Sequence, residues 1–422
     1  MTLPDDLLPV IDAADAAVER RDPVDARTLA EAGAIIEQVR TGGADALRAL
    51  AERFGDIRPG DPLVIERPTL VLALDALDRA QRAALERAAA RIEDFARAQR
   101  AALADISIPI PGGAIGHEAS PVERAGCYAP GGRFPLPSSA LMTAVTARVA
   151  GVREVWLASP RPTPATLAAA AIAGADALLA VGGAQAIAAL AYGAGPVPAC
   201  DAVVGPGNRW VTGAKQLVAG RVAIDMLAGP SELLIIADDS ADPALIAADL
   251  LAQAEHDDDA APMLVVTSAD LVRAVRDEVA RRVETLPTRA TALAALRNGF
   301  CALARDIDEA VALADRVAPE HVEVLTRDAP GVAGRLRHYG AAFVGPGAAE
   351  VVGDYGVGPN HTLPTGGSAR SFAGLSVFTF LRVRTWVCAD APRLEAALYR
   401  DAAAIARLEG LEAHARSAEA RL

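Results

Sequence analysis

From Val152 onward, short runs of Val, Leu and Ile alternate with alanine-rich stretches of helical period, and this rhythm constrains the fold more than any other feature. Strands are predicted at Val152–Ser159, Ala177–Val181 and Ala202–Val204, each followed by a helix, at Thr166–Ala173, Ala184–Tyr192 and Trp210–Ala219. The alternation restarts with a strand at Glu232–Ala237 and a helix at Pro243–Glu255. A strand at Met263–Thr267 and a helix at Ala269–Thr285 follow, then Phe300–Leu303, Ile307–Val317 and Val322–Leu325. Consecutive parallel strands need crossover connections, usually helical. The expected class is therefore α/β, with two Rossmann-like units, each a parallel sheet covered by helices. Apolar residues at spacings of three and four predict helices at Asp25–Thr41, Gly43–Phe54 and Thr69–Arg100, and residues 392–422 read as helical again, so helical arms are expected at both ends. Between them, Ile108–Gly113 carries two prolines and two glycines and reads as an extended or turn segment.

A chain of 422 residues, 52% hydrophobic, buries a large core without disulfide or metal staples. Cys127, Cys200, Cys301 and Cys388 form no Cys-x-x-Cys pair, which argues against a disulfide framework or a thiolate zinc finger. A net charge of −13 disfavours nucleic acid as a partner, because phosphate-binding proteins carry basic patches. The one lysine, Lys215, is the sole candidate for a Schiff base. Thr166–Gly193 is almost continuously apolar, but Gly174, Asp176, Gly182, Gly183 and Gln185 interrupt it, so buried helices and strands fit better than a membrane span. The N-terminus shows no basic region followed by an apolar stretch, and a cytoplasmic location is expected.

Glycine pairs follow two predicted strands, in Gly182-Gly183-Ala184-Gln185 and Gly205-Pro206-Gly207-Asn208. Neither is a G-x-G-x-x-G fingerprint, so they are equally tight turns or a nucleotide site. Gln253 and His256 lie one turn apart at a helix end, where they can share an ion or where His256 can cap the helix dipole. Glu320-His321 precedes a strand; an adjacent carboxylate and imidazole suit proton transfer, and a solvated loop histidine is the plainer alternative. Seven of the fifteen residues Gly353–Gly367 are Gly or Pro, so Asp354 and His361 stand on an irregular, shaped loop. Glu409 and His414 lie in the last helical stretch, an ordinary amphipathic end when taken alone.

Together these stretches resemble histidinol dehydrogenases, collinearly from about residue 42 to the C-terminus. The match is carried by Gln253-Ala-Glu-His256-Asp257, Ala318-Pro-Glu-His321-Val-Glu323, Gly358-Pro-Asn-His361-Thr-Leu-Pro364-Thr365 and Glu409-Gly-Leu-Glu-Ala-His414. It is carried also by Ile224-Asp-Met-Leu-Ala-Gly-Pro-Ser231-Glu232, Val204-Gly-Pro-Gly-Asn208, Gly182-Gly-Ala-Gln185 and Tyr128-Ala-Pro-Gly-Gly-Arg133. The resemblance implies oxidation of L-histidinol to L-histidine by two NAD-dependent hydride transfers through histidinaldehyde, the last step of histidine biosynthesis. It implies one zinc per subunit on Gln253, His256, Asp354 and His414, the last from a partner subunit in a homodimer. His321 would be the base and Glu320 the group that activates water. Ser231, Gln253, His256, His321, Asp354, Glu409, His414 and His361 would touch substrate, and Tyr128, Gln185 and Asn208 would touch NAD. The division it implies is an N-terminal arm at 1–24, a larger α/β domain from 25–125 with 233–372, a second at 126–232, and a C-terminal helical arm at 373–422. The alternative is a paralogous zinc- and NAD-dependent dehydrogenase of another amino or sulfonated alcohol.

Overall fold

The computed structural model describes residues 3–18, 22–131, 135–390 and 393–422. Gly132 and Arg133 of the Tyr128 motif, residues 1, 2 and 19–21 of the N-terminal arm, and residue 392 at the head of the last helical stretch lie outside them. The chain divides into two units, residues 1–97 with 122–380 and residues 98–121 with 381–422.

The first unit holds two six-stranded sheets. One runs in the order Val10–Asp12, Phe300–Leu303, Ala261–Val266, Glu232–Ala237, His321–Leu325, Ala341–Val344, with every neighbouring pair parallel. In its central strand Leu233, Ile235 and Ala237 face one apolar layer, and Leu234 and Ile236 face the other. Both faces are covered, which is why the strand is an unbroken apolar run rather than an alternating one. The crossover helices Pro243–Ala254, Ala269–Val283 and Ile307–Val317 each begin on a side chain, Asp242, Ser268 or Asp306, that accepts a first-turn N–H.

The other sheet runs Val64–Glu66, Ala177–Leu179, Glu154–Ala158, Arg124–Tyr128, Ala202–Val204, Ala223–Ile224, parallel except for the antiparallel edge strand Val64–Glu66. Its helix Gly183–Tyr192 is buried from Ala184 through Ala191, packed against both the sheet and the long helix Ala26–Arg53. Small alanine side chains permit packing on opposite sides of one helix, and this accounts for the apolar stretch 166–193. No described helix is long and apolar enough to cross a membrane.

Both sheets have a switch point. The chain moves outward from Glu232–Ala237 to Phe300–Leu303, then crosses back to His321–Leu325; likewise it moves from Arg124–Tyr128 to Ala177–Leu179, then crosses to Ala202–Val204. Crevices at such points are where α/β folds bind ligands.

Three local outcomes refine the sequence expectations. The two helices expected at 25–41 and 43–54 form one helix, Ala26–Arg53, kinked at Gly43, whose φ of +56° only glycine adopts readily. The helix expected at 69–100 is interrupted: Arg67–Ala76 and Arg79–Ala101 are separated at Leu77, and Asp78 accepts the N–H groups of Ala80 and Gln81 to start the second. Val10–Asp12, from the N-terminal arm, forms the edge of the first sheet.

The second unit is a three-stranded antiparallel sheet, Leu381–Ala389, Gly113–Pro121, Ile106–Ile110, with helices Ala396–Leu408 and Glu412–Glu419 packed on each other. The arm expected to be helical from 373 instead passes through a 3-10 turn, Val377–Phe380, that belongs to the first unit, and then forms the strand Leu381–Ala389, where Leu-Arg-Val-Arg-Thr-Trp-Val carries a period of two.

Candidate active site

The two sheets of the first unit turn opposite ends toward one cavity of about 550 Å³. The second sheet contributes its carboxyl ends: Pro130 after Arg124–Tyr128, and Pro206, Gly207 and Asn208 after Ala202–Val204. The first contributes its amino ends, with Ser231 just before Glu232–Ala237 and Glu320 just before the strand that His321 opens. His256 arrives from the end of helix Pro243–Ala254, and Asp354 and His361 arrive from the Gly-rich loop. A larger cavity of about 790 Å³ adjoins it and shares Asn208, His256 and Asp354.

Ala318 takes a left-handed φ of +50°, which turns the chain sharply from helix into Pro319-Glu320. That turn buries the pair: Glu320 is 6% and His321 3% exposed. Glu320 Oε2 accepts from Ser231 Oγ at 2.7 Å and from Glu232 N at 2.9 Å. Burial outweighs these donors and holds the carboxyl well above the usual range. His321 Nδ1 donates to the Glu232 carbonyl at 3.1 Å, which leaves Nε2 as the lone-pair nitrogen. Burial pushes its pKa down to about 4, so the ring is neutral and able to accept a proton at pH 7.

Beside this pair lies a cluster of donor side chains. His256 Nε2 is 3.4 Å from Asp354 Oδ2. The carboxylate of Asp354 raises the His256 pKa; burial opposes ionisation of Asp354, but His256, His361 and His321 together hold it below its ordinary value. His256, Glu350 and Asp354 each present an atom within 4.8 Å of the others. Gln253 is fully buried and neither amide atom has a hydrogen-bond partner among the described residues, a condition that a ligand at this point would relieve. His361 is fixed at both nitrogens, Nδ1 on the Asp354 carbonyl at 2.9 Å and Nε2 on Ser139 Oγ at 3.2 Å, and burial lowers its pKa.

On the glycine side, Tyr128 Oη accepts from Gly183 N at 3.2 Å, and burial pushes the phenol up to about 12. Gln185 Nε2 donates to Asp56 Oδ2 at 3.0 Å, and the same oxygen accepts Gly182 N. Asn208 caps helix Arg209–Val218 through its Oδ1, so its amide is held in orientation on the cavity wall. Gly205 has φ +117°, and a Cβ there would sit 2.1 Å from the Tyr128 carbonyl, so the loop closes only with glycine. Lys215 is not a free amine: it is buried against Asp225 and donates to the Gly205 carbonyl. Burial pushes the Cys127 and Cys301 thiols up to about 12, which removes them as nucleophiles.

The structure thus brings Ser231, Gln253, His256, Glu320, His321, Asp354 and His361 into one neighbourhood, with Tyr128 and Asn208 lining the cavities. Gln185 stands behind the wall on Asp56, and Glu409 and His414 are exposed in the second unit. The sequence reading did not single out Asp56, Ser139 or Glu350. Of these only Glu350 left a signal, its four-residue spacing from Asp354.

Two helix-covered parallel sheets that close on a buried carboxyl–imidazole pair define an α/β enzyme equipped for proton transfer. Known proteins narrow the class. Residues 18–422 match the family model described as histidinol dehydrogenase. The chain is 44% identical to a histidinol dehydrogenase from Aromatoleum aromaticum, covering 97% of this chain and 94% of that one. It is 46% identical to one from Thermus thermophilus, covering 92% and 93%. The crystal structure of histidinol dehydrogenase from Elizabethkingia anophelis superposes with a TM-score of 0.88 at 30% identity, covering 96% of this chain and 93% of that one. The chain belongs to the histidinol dehydrogenase family, oxidoreductases that act on histidinol in histidine biosynthesis.

Proposed function

We propose that the protein oxidises L-histidinol to L-histidine in two NAD-dependent steps through histidinaldehyde, with zinc held by Gln253, His256, Asp354 and His414 of a partner subunit. The observation that carries the reading is the buried His321, neutral and tied through Nδ1 to Glu232, beside a donor cluster whose Gln253 amide is otherwise unsatisfied. Amide oxygen, imidazole and carboxylate are donors that zinc accepts. The two bound groups would supply a Lewis-acidic anchor for the substrate's nitrogens and an acceptor for hydride.

The protein supplies the proton chemistry. His321 Nε2 takes the hydroxyl proton as the first hydride leaves the carbinol carbon. Glu320, in its ionised form, takes a proton from water as that water adds to the aldehyde. His321 then takes a proton from the resulting diol as the second hydride leaves. Summed, L-histidinol, one water and two NAD give L-histidine, two NADH and three protons. Ser231 holds Glu320 in place, and Ser139 and His361 line the substrate side. Tyr128, Gln185 and Asn208 form the NAD side, where the carboxyl ends of the second sheet offer backbone N–H groups and the N-terminus of helix Arg209–Val218.

A homodimer belongs to this reading. Glu409 and His414 flank an exposed apolar strip in which Leu408 is 87% exposed, joined by Ile405 and Leu411, and such a strip suits a partner subunit. So does a cytoplasmic setting, where the four free cysteines stay reduced. Product stoichiometry tests the function: two NADH per L-histidinol, with activity lost on chelation and restored by zinc. One NADH per substrate, or indifference to chelator, would overturn it.

A further inference from the structure

We propose that Asp249 and Glu323 are positioning residues: their carboxyls share one proton beneath the site, and that bridge sets the helix bearing Gln253 against the strand that His321 opens. The effect on activity rests on the function proposed above; the bridge itself stands on the packing. Glu323 is fully buried in the middle of the strand His321–Leu325. Leu325, two residues on, belongs to the apolar layer that contains Ile246, Ala247 and Leu250 of helix Pro243–Ala254, so strand alternation turns Glu323 and His321 toward the same helix. Glu323 Oε1 accepts from Glu350 N at 2.7 Å, but Oε2 has no N–H or hydroxyl donor among the described residues. What the Glu323 carboxyl meets instead is the Asp249 carboxyl, in side-chain hydrogen-bond contact, and no described lysine or arginine pairs with either.

Two ionised carboxylates are both acceptors and repel each other, so contact between them is a bond only when one carries a proton. Burial first, and the charge of Asp249 second, hold the Glu323 carboxyl above the usual range, and burial raises Asp249 as well. Glu350, whose N–H meets Glu323, is likewise a buried acid held well above its ordinary value and adds no positive charge. Spacing gives the bridge its reach. Asp249 lies four residues before Gln253, one turn away on the same helix face, and Glu323 lies two after His321 on the same strand face. Glu350, tied to Glu323 through its N–H, lies four before Asp354. One proton thus joins the three segments that carry Gln253, His321 and Asp354, while neither Asp249 nor Glu323 lines either cavity.

The test compares Glu323→Gln, whose amide can accept Glu350 N and donate to Asp249 in place of the proton, with Glu323→Leu, which can do neither. In the full-length, zinc-loaded enzyme Glu323→Gln should keep kcat/KM for L-histidinol within about threefold of wild type, and Glu323→Leu should lose about 10- to 100-fold, with KM for histidinol rising more than KM for NAD. The infrared difference between wild type and Glu323→Gln at pH 7 should contain one protonated-carboxyl C=O stretch that shifts on exchange into D2O. If no such band is lost, or if Glu323→Leu is as active as Glu323→Gln, the proposal is overturned. If wild type does not oxidise histidinol, the proposed function fails and the infrared band still decides the bridge. Should Glu323→Leu not fold, Asp249→Ala at its half-buried position takes its place, and Asp249→Asn, which can donate to Glu323, must then exceed it by about tenfold or more in kcat/KM. Equal activity of those two variants overturns the proposal in the same way.

Discussion

Replacing Lys215 by methionine tests the frame behind the Gly205–Asn208 loop, the NAD side in the proposed function. Lys215 is 2% exposed and pairs with Asp225, whose side chain is fully buried. The two side chains grip the Gly205 residue from both directions: Lys215 Nζ donates to its carbonyl at 3.0 Å, and Asp225 Oδ2 accepts its N–H at 2.7 Å. Methionine fills most of the lysine volume but leaves the Asp225 charge without a counter-ion. Breaking one side of a buried pair costs about 3–5 kcal/mol, which is about 2.2 to 3.7 decades in the folding equilibrium. Release of the Gly205 carbonyl also loosens the loop that carries Asn208, and KM for NAD should rise by roughly an order of magnitude. Urea unfolding followed by tryptophan emission reports on the right region, since Trp156 and Trp210 belong to the strand and helix layers of the second sheet. The double variant Lys215→Met/Asp225→Asn removes the stranded charge and should regain at least half of the lost stability. A single variant within about 1 kcal/mol of wild type, or a double variant no more stable than the single one, would refute the reasoning.

Replacing His321 by glutamine should lower kcat by about 10²- to 10⁴-fold with the far-ultraviolet circular dichroism unchanged; retained turnover would remove it as the base. The same residue predicts a pH-dependent stability difference. Its folded pKa of about 4 lies below the ordinary 6.5, so its contribution is present above pH 6.5 and is lost as pH falls toward 4, by about 3 kcal/mol for ~2.5 units. Urea stabilities of wild type minus His321→Gln should follow that slope, and a flat difference contradicts the burial argument. Glu320→Gln should impair the hydration-dependent second oxidation more than the first, so that NADH per histidinol drops below two in single-turnover reactions; an unchanged ratio counts against its role. Mixed dimers of His414→Ala with Glu320→Gln subunits should form histidine faster than either homodimer, and failure to complement would place His414 outside the partner's site.

The alternation of short apolar runs with alanine-rich helices was enough to predict the α/β class, because burial on both sheet faces leaves the central strands mostly apolar in a way that local sequence records. The strands Glu232–Ala237 and Phe300–Leu303 coincide with their predicted bounds for that reason. So was the family resemblance, carried by motifs that include Glu320, His321, His256 and Asp354's loop. Three-residue strands such as Val10–Asp12 and Val64–Glu66 left no such record, since they exist only through long-range pairing with Phe300–Leu303 and Ala177–Leu179. Tertiary structure alone decided that the second sheet offers its carboxyl ends and the first its amino ends to one cavity, which brings residues from 128 to 361 onto the walls of two adjoining cavities. It alone showed Asp56 behind Gln185, Lys215 locked on Asp225, and the Glu350 carboxyl buried with no hydrogen bond to a described residue. Periodicity along a chain reports which face is apolar; the pairing of charges and donors depends on distances across the fold, which no stretch of the sequence contains.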